Sequence, residues 1–123
     1  FLDEQLNLYK PDIIVLAGFL WLFPDRLVKM YNERILNIHP ALLPAYGGKG
    51  MYGENIHRAV LQNRETAHGV TVHKVNEKYD EGEIVLQESF QIVPNETLDS
   101  LAEKIHQLEF AIYPKAISKI LGI

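Results

Sequence analysis

Asn37-Ile38-His39-Pro40 is the stretch best equipped for chemistry. On an extended backbone, residues i and i+2 share a face. Asn37 and His39 then take one face, and Leu36 and Ile38 the other. A carboxamide NH2 can donate to a developing oxyanion, and an imidazolium can donate or release a proton. That pairing suits acyl transfer. The same two residues also fit a turn-capping asparagine and a satisfied, partly buried histidine. Thr71 and His73 share one face of the alternating stretch His68-Gly69-Val70-Thr71-Val72-His73. They could position a substrate or a water, although a strand with one polar face has the same pattern. Tyr79-Asp80-Glu81-Gly82-Glu83 is an acidic turn. A carboxylate near His39 would raise that histidine's pKa by favouring its charged form; a solvated acidic loop is the other meaning of such a cluster. Glu109 flanks the apolar stripe of a helix, as a solvated carboxylate or a hydroxyl-binding one.

Other site chemistries find little support. The histidines at 39, 57, 68, 73 and 106 form neither a His-x3-His pair nor a His-Glu-x-x-His motif, and zinc needs three or four converging ligands. No metal is expected. Gly47-Gly48-Lys49-Gly50 shares only composition with a phosphate loop, because Gly50 follows the lysine where Ser or Thr is required. It reads as a mobile surface loop, of the kind that can act as a lid.

The elements that must position these residues alternate between strand and helix. Residues 13–17 form a continuous apolar run, the pattern of a strand buried on both faces. Pro24 and Asp25 open a short helical pattern through about Tyr31. Residues 34–38 form a second strand, and prolines and glycines make 40–53 a loop. Residues 54–63 are predicted helical. Residues 68–75 and 83–93 are predicted extended. Thr97 or Asn95 can cap a long helix carrying Leu98, Leu101, Ala102, Ile105, Leu108 and Ile112 in a three-four rhythm, which Pro114 should break or kink. Residues 1–10 resemble the tail of a helix. The alternation predicts an α/β domain with a Rossmann-like, mostly parallel sheet.

Composition bounds the rest. The chain has 123 residues, 47% hydrophobic and 23% charged, with a net charge of −4 and no cysteine. One globular domain is expected, without disulfides or a thiol nucleophile. An acidic chain lacking a basic run is a poor nucleic-acid ligand. No apolar stretch reaches the ~20 residues of a membrane span. No charged-then-apolar leader opens the chain, so no signal peptide is expected.

Taken together, five stretches resemble the folate-dependent formyltransferases, and within them the glycinamide ribonucleotide branch. They are Leu16-Ala17-Gly18-Phe19, Asn37-Ile38-His39-Pro40-Ala41-Leu42-Leu43-Pro44, the 68–73 strand, Asp80-Glu81-Gly82, and Glu109-Phe110-Ala111-Ile112-Tyr113-Pro114. The resemblance implies a single formyltransferase domain over residues 1–123, forming the C-terminal portion with the catalytic and folate site. It implies direct formyl transfer from 10-formyltetrahydrofolate to the amine of glycinamide ribonucleotide, in purine synthesis and hence in the cytoplasm. Asn37 and His39 would stabilise the tetrahedral intermediate, and Asp80 would keep His39 protonated and help pass a proton. Thr71 and His73 would support them. The folate would lie against Leu20, Trp21, Leu22, Val75, Asn76, Tyr79 and Asp80. Glu109 and Pro40 would meet the ribonucleotide.

The family's opening unit, with the turn that holds the ribonucleotide phosphate at a helix N-terminus, has no counterpart before Ile13. The chain is expected to lack it and to expose a sheet edge that favours homo-oligomers. The loop at 45–54 is longer and richer in glycine than the common family pattern, and Trp21 replaces a frequent basic residue. A formyltetrahydrofolate hydrolase and a non-catalytic folate-binding module are the alternatives.

Overall fold

A computed structural model describes residues 2–16, 24–76 and 82–123. In chain order the elements are α1 (Leu2–Tyr9), β1 (Ile14–Leu16), α2 (Asp25–Met30), β2 (Ile35–His39), α3 (Gly53–Gln62), β3 (Ala67–Lys74), β4 (Ile84–Gln91) and α4 (Leu98–Leu121). The four described strands form one sheet in the order β1-β2-β3-β4. β1 and β2 run parallel, while the β2–β3 and β3–β4 pairs are antiparallel. The domain is α/β, as expected, and the described part of its sheet is mixed. The link over residues 75–83 is too short for the crossover that a parallel β3–β4 pair would need.

The two faces of the sheet do different work. Leu36 and Ile38 of β2 and Val70 and Val72 of β3 point to one face, where Ile105, Ile112 and Ala116 of α4 bury them. Ile105 and Ile112 are at most 1% exposed. Burying each such side chain stabilises the fold by roughly 1.5–3 kcal/mol. The odd-numbered partners, Asn37, His39, Thr71 and His73, therefore take the other face. A second cluster of Leu27, Val28, Tyr31 and Ile35 seats α2, with Leu6, Ile14, Leu16 and Val75 around it. A third, of Ala41, Ile56, Val60 and Leu101, fastens α3 and the 41–51 loop against the first half of α4.

Two expectations are corrected. The run at 13–17 reads as a strand covered on both faces, yet Val15 is 36% exposed. β1 lies at an edge of the described sheet, and Ile14 and Leu16 alone turn into the α2 cluster. Pro114 does not break α4, which runs unbroken from Leu98 to Leu121. Proline removes the hydrogen bond to the carbonyl four residues back, here that of Phe110. Phe110 and Pro114 both lie on the exposed side, whereas Ile112 and Ala116 stay packed. The helix starts at a reciprocal cap, in which Thr97 Oγ1 accepts from the Ser100 amide and Ser100 Oγ accepts from the Thr97 amide.

Candidate active site

Strand register assembles the polar group. Asn37 lies directly opposite His73, and His39 directly opposite Thr71. Cβ atoms of such pairs are about 4.5–5.5 Å apart. Four polar side chains thus form one compact patch at the C-terminal end of β2, with Leu16 of β1 beside Asn37 on the other flank. Thr71, His73 and His39 are all at least 96% buried.

Hydrogen bonding orders the patch from Lys74 inward. His73 Nδ1 stands 3.1 Å from the Lys74 carbonyl oxygen. A carbonyl can only accept, so Nδ1 carries a hydrogen, and Nε2, which faces the Asn37 amide nitrogen, is the acceptor. Asn37 Nδ2 donates to that Nε2 across 3.3 Å. This choice fixes the orientation of the carboxamide. Its second Nδ2 hydrogen is left over, and Asn37 Oδ1 is buried with no partner among the described residues. An unpaired buried carbonyl oxygen costs about 1–3 kcal/mol. A group that brings an N–H to that oxygen recovers the cost.

Thr71 shapes the turn after His39. Its hydroxyl donates to the Ala41 carbonyl at 2.7 Å and accepts from the Leu43 amide at 3.1 Å and from Gln87 Nε2 at 2.9 Å. That uses the one donor and both lone pairs of the group. Gln87 also donates to the Leu43 carbonyl at 2.9 Å. The loop leaving β2 is tied down at both ends of its first turn, and His39 emerges in a defined direction. His39 Nε2 donates to the Tyr46 carbonyl at 2.7 Å.

Glycine 82 admits the neighbouring chain. A Cβ there would fall 1.6 Å from the Lys74 carbonyl oxygen, the atom that orients His73. Only glycine permits that approach.

The structure thus brings Asn37, His39, Thr71 and His73 together. Pro40 follows His39 half-buried, and Val75 and Asn76 leave the end of β3 beside His73. The Val75 amide donates to the Ile35 carbonyl at 2.9 Å. Glu109 is held elsewhere, on α4, where it accepts from His106 Nδ1 at 3.0 Å. Leu20, Trp21, Leu22, Tyr79 and Asp80 lie outside the described residues. Among the described residues no group of three or more His, Cys, Asp or Glu could hold a metal, and no helix is long and apolar enough to cross a membrane.

Sequence reasoning missed Gln87, Tyr46 and the His57–His68 pair. Gln87 could have been found by pairing the extended stretches in register, since it stands opposite Thr71. Tyr46 has no such signal, because its contribution is a backbone carbonyl. His57 Nδ1 and His68 Nε2 lie 3.2 Å apart under α3, with Phe90 edge-on to His68. Burial, then the neighbouring His57 and His39, lowers the His68 pKa to about 4. Burial is also the main cause that lowers His57.

The family pattern of the formyl transferases matches residues 2–117 of this α/β domain. The chain belongs to that family. It is 44% identical over 119 residues to the chloroplastic phosphoribosylglycinamide formyltransferase of Arabidopsis thaliana, covering 97% of this chain and 41% of that protein. The Bacillus subtilis phosphoribosylglycinamide formyltransferase is 38% identical over 120 residues, covering 98% of this chain and 59% of that one. The crystal structure of phosphoribosylglycinamide formyltransferase from Bacillus halodurans shares the fold with a TM-score of 0.86 at 36% identity, over 98% of this chain and 59% of that one. The chain spans about half the length of these relatives.

Proposed function

We propose that this chain carries the formyl-transfer centre of a phosphoribosylglycinamide formyltransferase. The substrates on this reading are 10-formyltetrahydrofolate and the amine of glycinamide ribonucleotide. One observation carries it: the Asn37 carboxamide, clamped by His73, keeps one N–H to donate and one buried oxygen to accept.

The chemistry follows from those two atoms. The amine attacks the formyl carbon, a C–N bond forms, and the carbonyl oxygen takes negative charge. The spare Nδ2 hydrogen of Asn37 donates to that oxygen. Oδ1 accepts an N–H of the amine, which turns the nitrogen lone pair toward the carbon. The tetrahedral intermediate collapses with cleavage of the bond to folate N10. The amine loses a proton and N10 gains one, so charge balances. His39 is the proton-transfer group beside them, with Asp80 assigned as its partner from the family likeness. No covalent enzyme intermediate is needed, in keeping with a chain without cysteine. Val75, Asn76 and the assigned residues 20–22 and 79 form the folate side. Glu109 and Pro40 form the ribonucleotide side.

The test follows the absorbance of 10-formyltetrahydrofolate with the full-length protein. Loss that depends on glycinamide ribonucleotide is the expected result. Loss without the ribonucleotide would replace transfer by hydrolysis. No loss in either case would overturn the reading.

A further inference from the structure

Tyr46 sits between the catalytic loop and the end of α3. Its backbone has a φ of 57°, in the left-handed region that non-glycine residues rarely occupy. Such a conformation persists only where surrounding contacts enforce it. The contacts are on its ring. The phenol donates to Glu65 Oε1 at 2.9 Å and accepts from Asn63 Nδ2 at 2.9 Å. Burial, as the largest cause, raises the phenol pKa, so the group stays a donor. The ring itself packs on the Ala41, Ile56, Val60 and Leu101 cluster.

The anchor points are themselves held. Asn63 and Glu65 flank Arg64 at the close of α3, where amides 63, 64 and 65 bond back to the carbonyls of Ala59, Leu61 and Val60. At the other end of Tyr46, its carbonyl accepts from His39 Nε2. A carbonyl cannot donate, so this contact requires hydrogen on Nε2. Nδ1 is then the nitrogen that gains and loses a proton.

We propose that Tyr46 is a positioning residue: tied through its hydroxyl to the end of α3, it uses its carbonyl to lock His39 in the Nε2–H form and in one ring orientation. The glycine-rich loop is thereby coupled to the proton-transfer group. The proposal rests on the assignment of His39 above for its catalytic consequence, but not for the lock itself. Displacing a reacting group by an ångström costs on the order of 100-fold in rate. Loosening the lock should therefore lower kcat by about 10- to 100-fold, with the KM for folate within about twofold.

Two readouts test it in the full-length protein. Long-range 1H–15N correlation of labelled histidines should show His39 with a hydrogen on Nε2 and a slowly exchanging Hε2. Tyr46→Phe keeps the ring and removes both hydroxyl bonds. Its Hε2 should exchange at least about tenfold faster, with the kcat loss given above. Glu65→Ala, at an exposed site that is safe for folding, should reproduce part of both effects, and Glu65→Gln, which keeps an acceptor, should restore them. A bare Nε2 in the unaltered protein, with the ring hydrogen on Nδ1 alone, would overturn the lock. So would unchanged exchange and unchanged kcat in Tyr46→Phe. If the unaltered protein transfers no formyl group, the functional assignment fails, while the resonance experiment still decides the lock.

Discussion

Two clusters of buried histidines stand on neighbouring parts of this domain, and they differ in what is left unsatisfied. His57 and His68 bond to each other beneath α3, with Phe90 against them. His39 and His73 share the adjacent sheet face with Asn37 and Thr71, and there the Asn37 oxygen is buried without a partner among the described residues. The first cluster is packing material that happens to titrate. The second holds polar capacity in reserve. Burial of a histidine is therefore no mark of a site. What separates the two is an acceptor and a donor left over after the internal network is complete, at a strand end where the chain turns away.

The contrast is broken most sharply at Asn37. Asn37→Ala in the full-length protein should lower formyl transfer by about 10²–10³-fold, the usual effect of losing one oxyanion donor. Its stability should change by less than about 1 kcal/mol, because loss of the bond to His73 is offset by removal of the unpaired oxygen. Urea unfolding beside turnover measures both. A large loss of stability with turnover intact would make Asn37 packing and dissolve the distinction.

The second effect belongs to the other cluster and is read in pH. His68 has a folded pKa near 4, below its unfolded value of 6.5. The unfolded chain binds more protons between these values, so stability rises with pH across this window. The contribution is fully present above pH 6.5 and is lost as pH falls toward 4. Its size is on the order of 3 kcal/mol, with His57 shifted the same way. Urea midpoints at pH 7 and pH 5 measure it, and His68→Gln should flatten the dependence. A pH-independent midpoint would show that the pair is not buried in its neutral form.

The smallest effect sharpens the boundary. Thr71→Val keeps the shape but leaves the Leu43 amide and the Ala41 carbonyl unpaired, at a cost of about 1–3 kcal/mol. Thr71→Ser should recover most of it. Turnover should fall along with stability, because this hydroxyl directs the chain that leaves His39. Equal turnover in both variants would detach Thr71 from the site.

Much of the domain follows from local pattern. Asn37 and His39 share a face because strand periodicity is two, and that is settled by residues 35–39 alone. Thr71 and His73 obey the same rule on β3. The α4 stripe and its Thr97 cap are equally local, since a helix that buries Leu101, Ile105 and Ile112 needs no more than their spacing and a side chain to bond the first free amide. The absence of cysteine and the acidic balance likewise narrowed the chemistry without reference to any fold.

What spacing cannot contain is register and direction across distant segments. Nothing in residues 35–39 says that Asn37 will meet His73 rather than Lys74; a slip of one residue would turn the partner to the other face. The parallel and antiparallel mixture, the exposure of Val15 at an edge, and the uninterrupted passage of α4 through Pro114 were all decided by which neighbour covers which side. The same holds for Tyr46, whose carbonyl any residue possesses. Its bond to His39 joins a strand end to a loop that only the fold brings back against it. Orientation of the Asn37 carboxamide came last, from a chain of donors and acceptors that starts at the Lys74 carbonyl. A hydrogen-bond network is a property of positions in space, so it can be read only after the strands have been brought together.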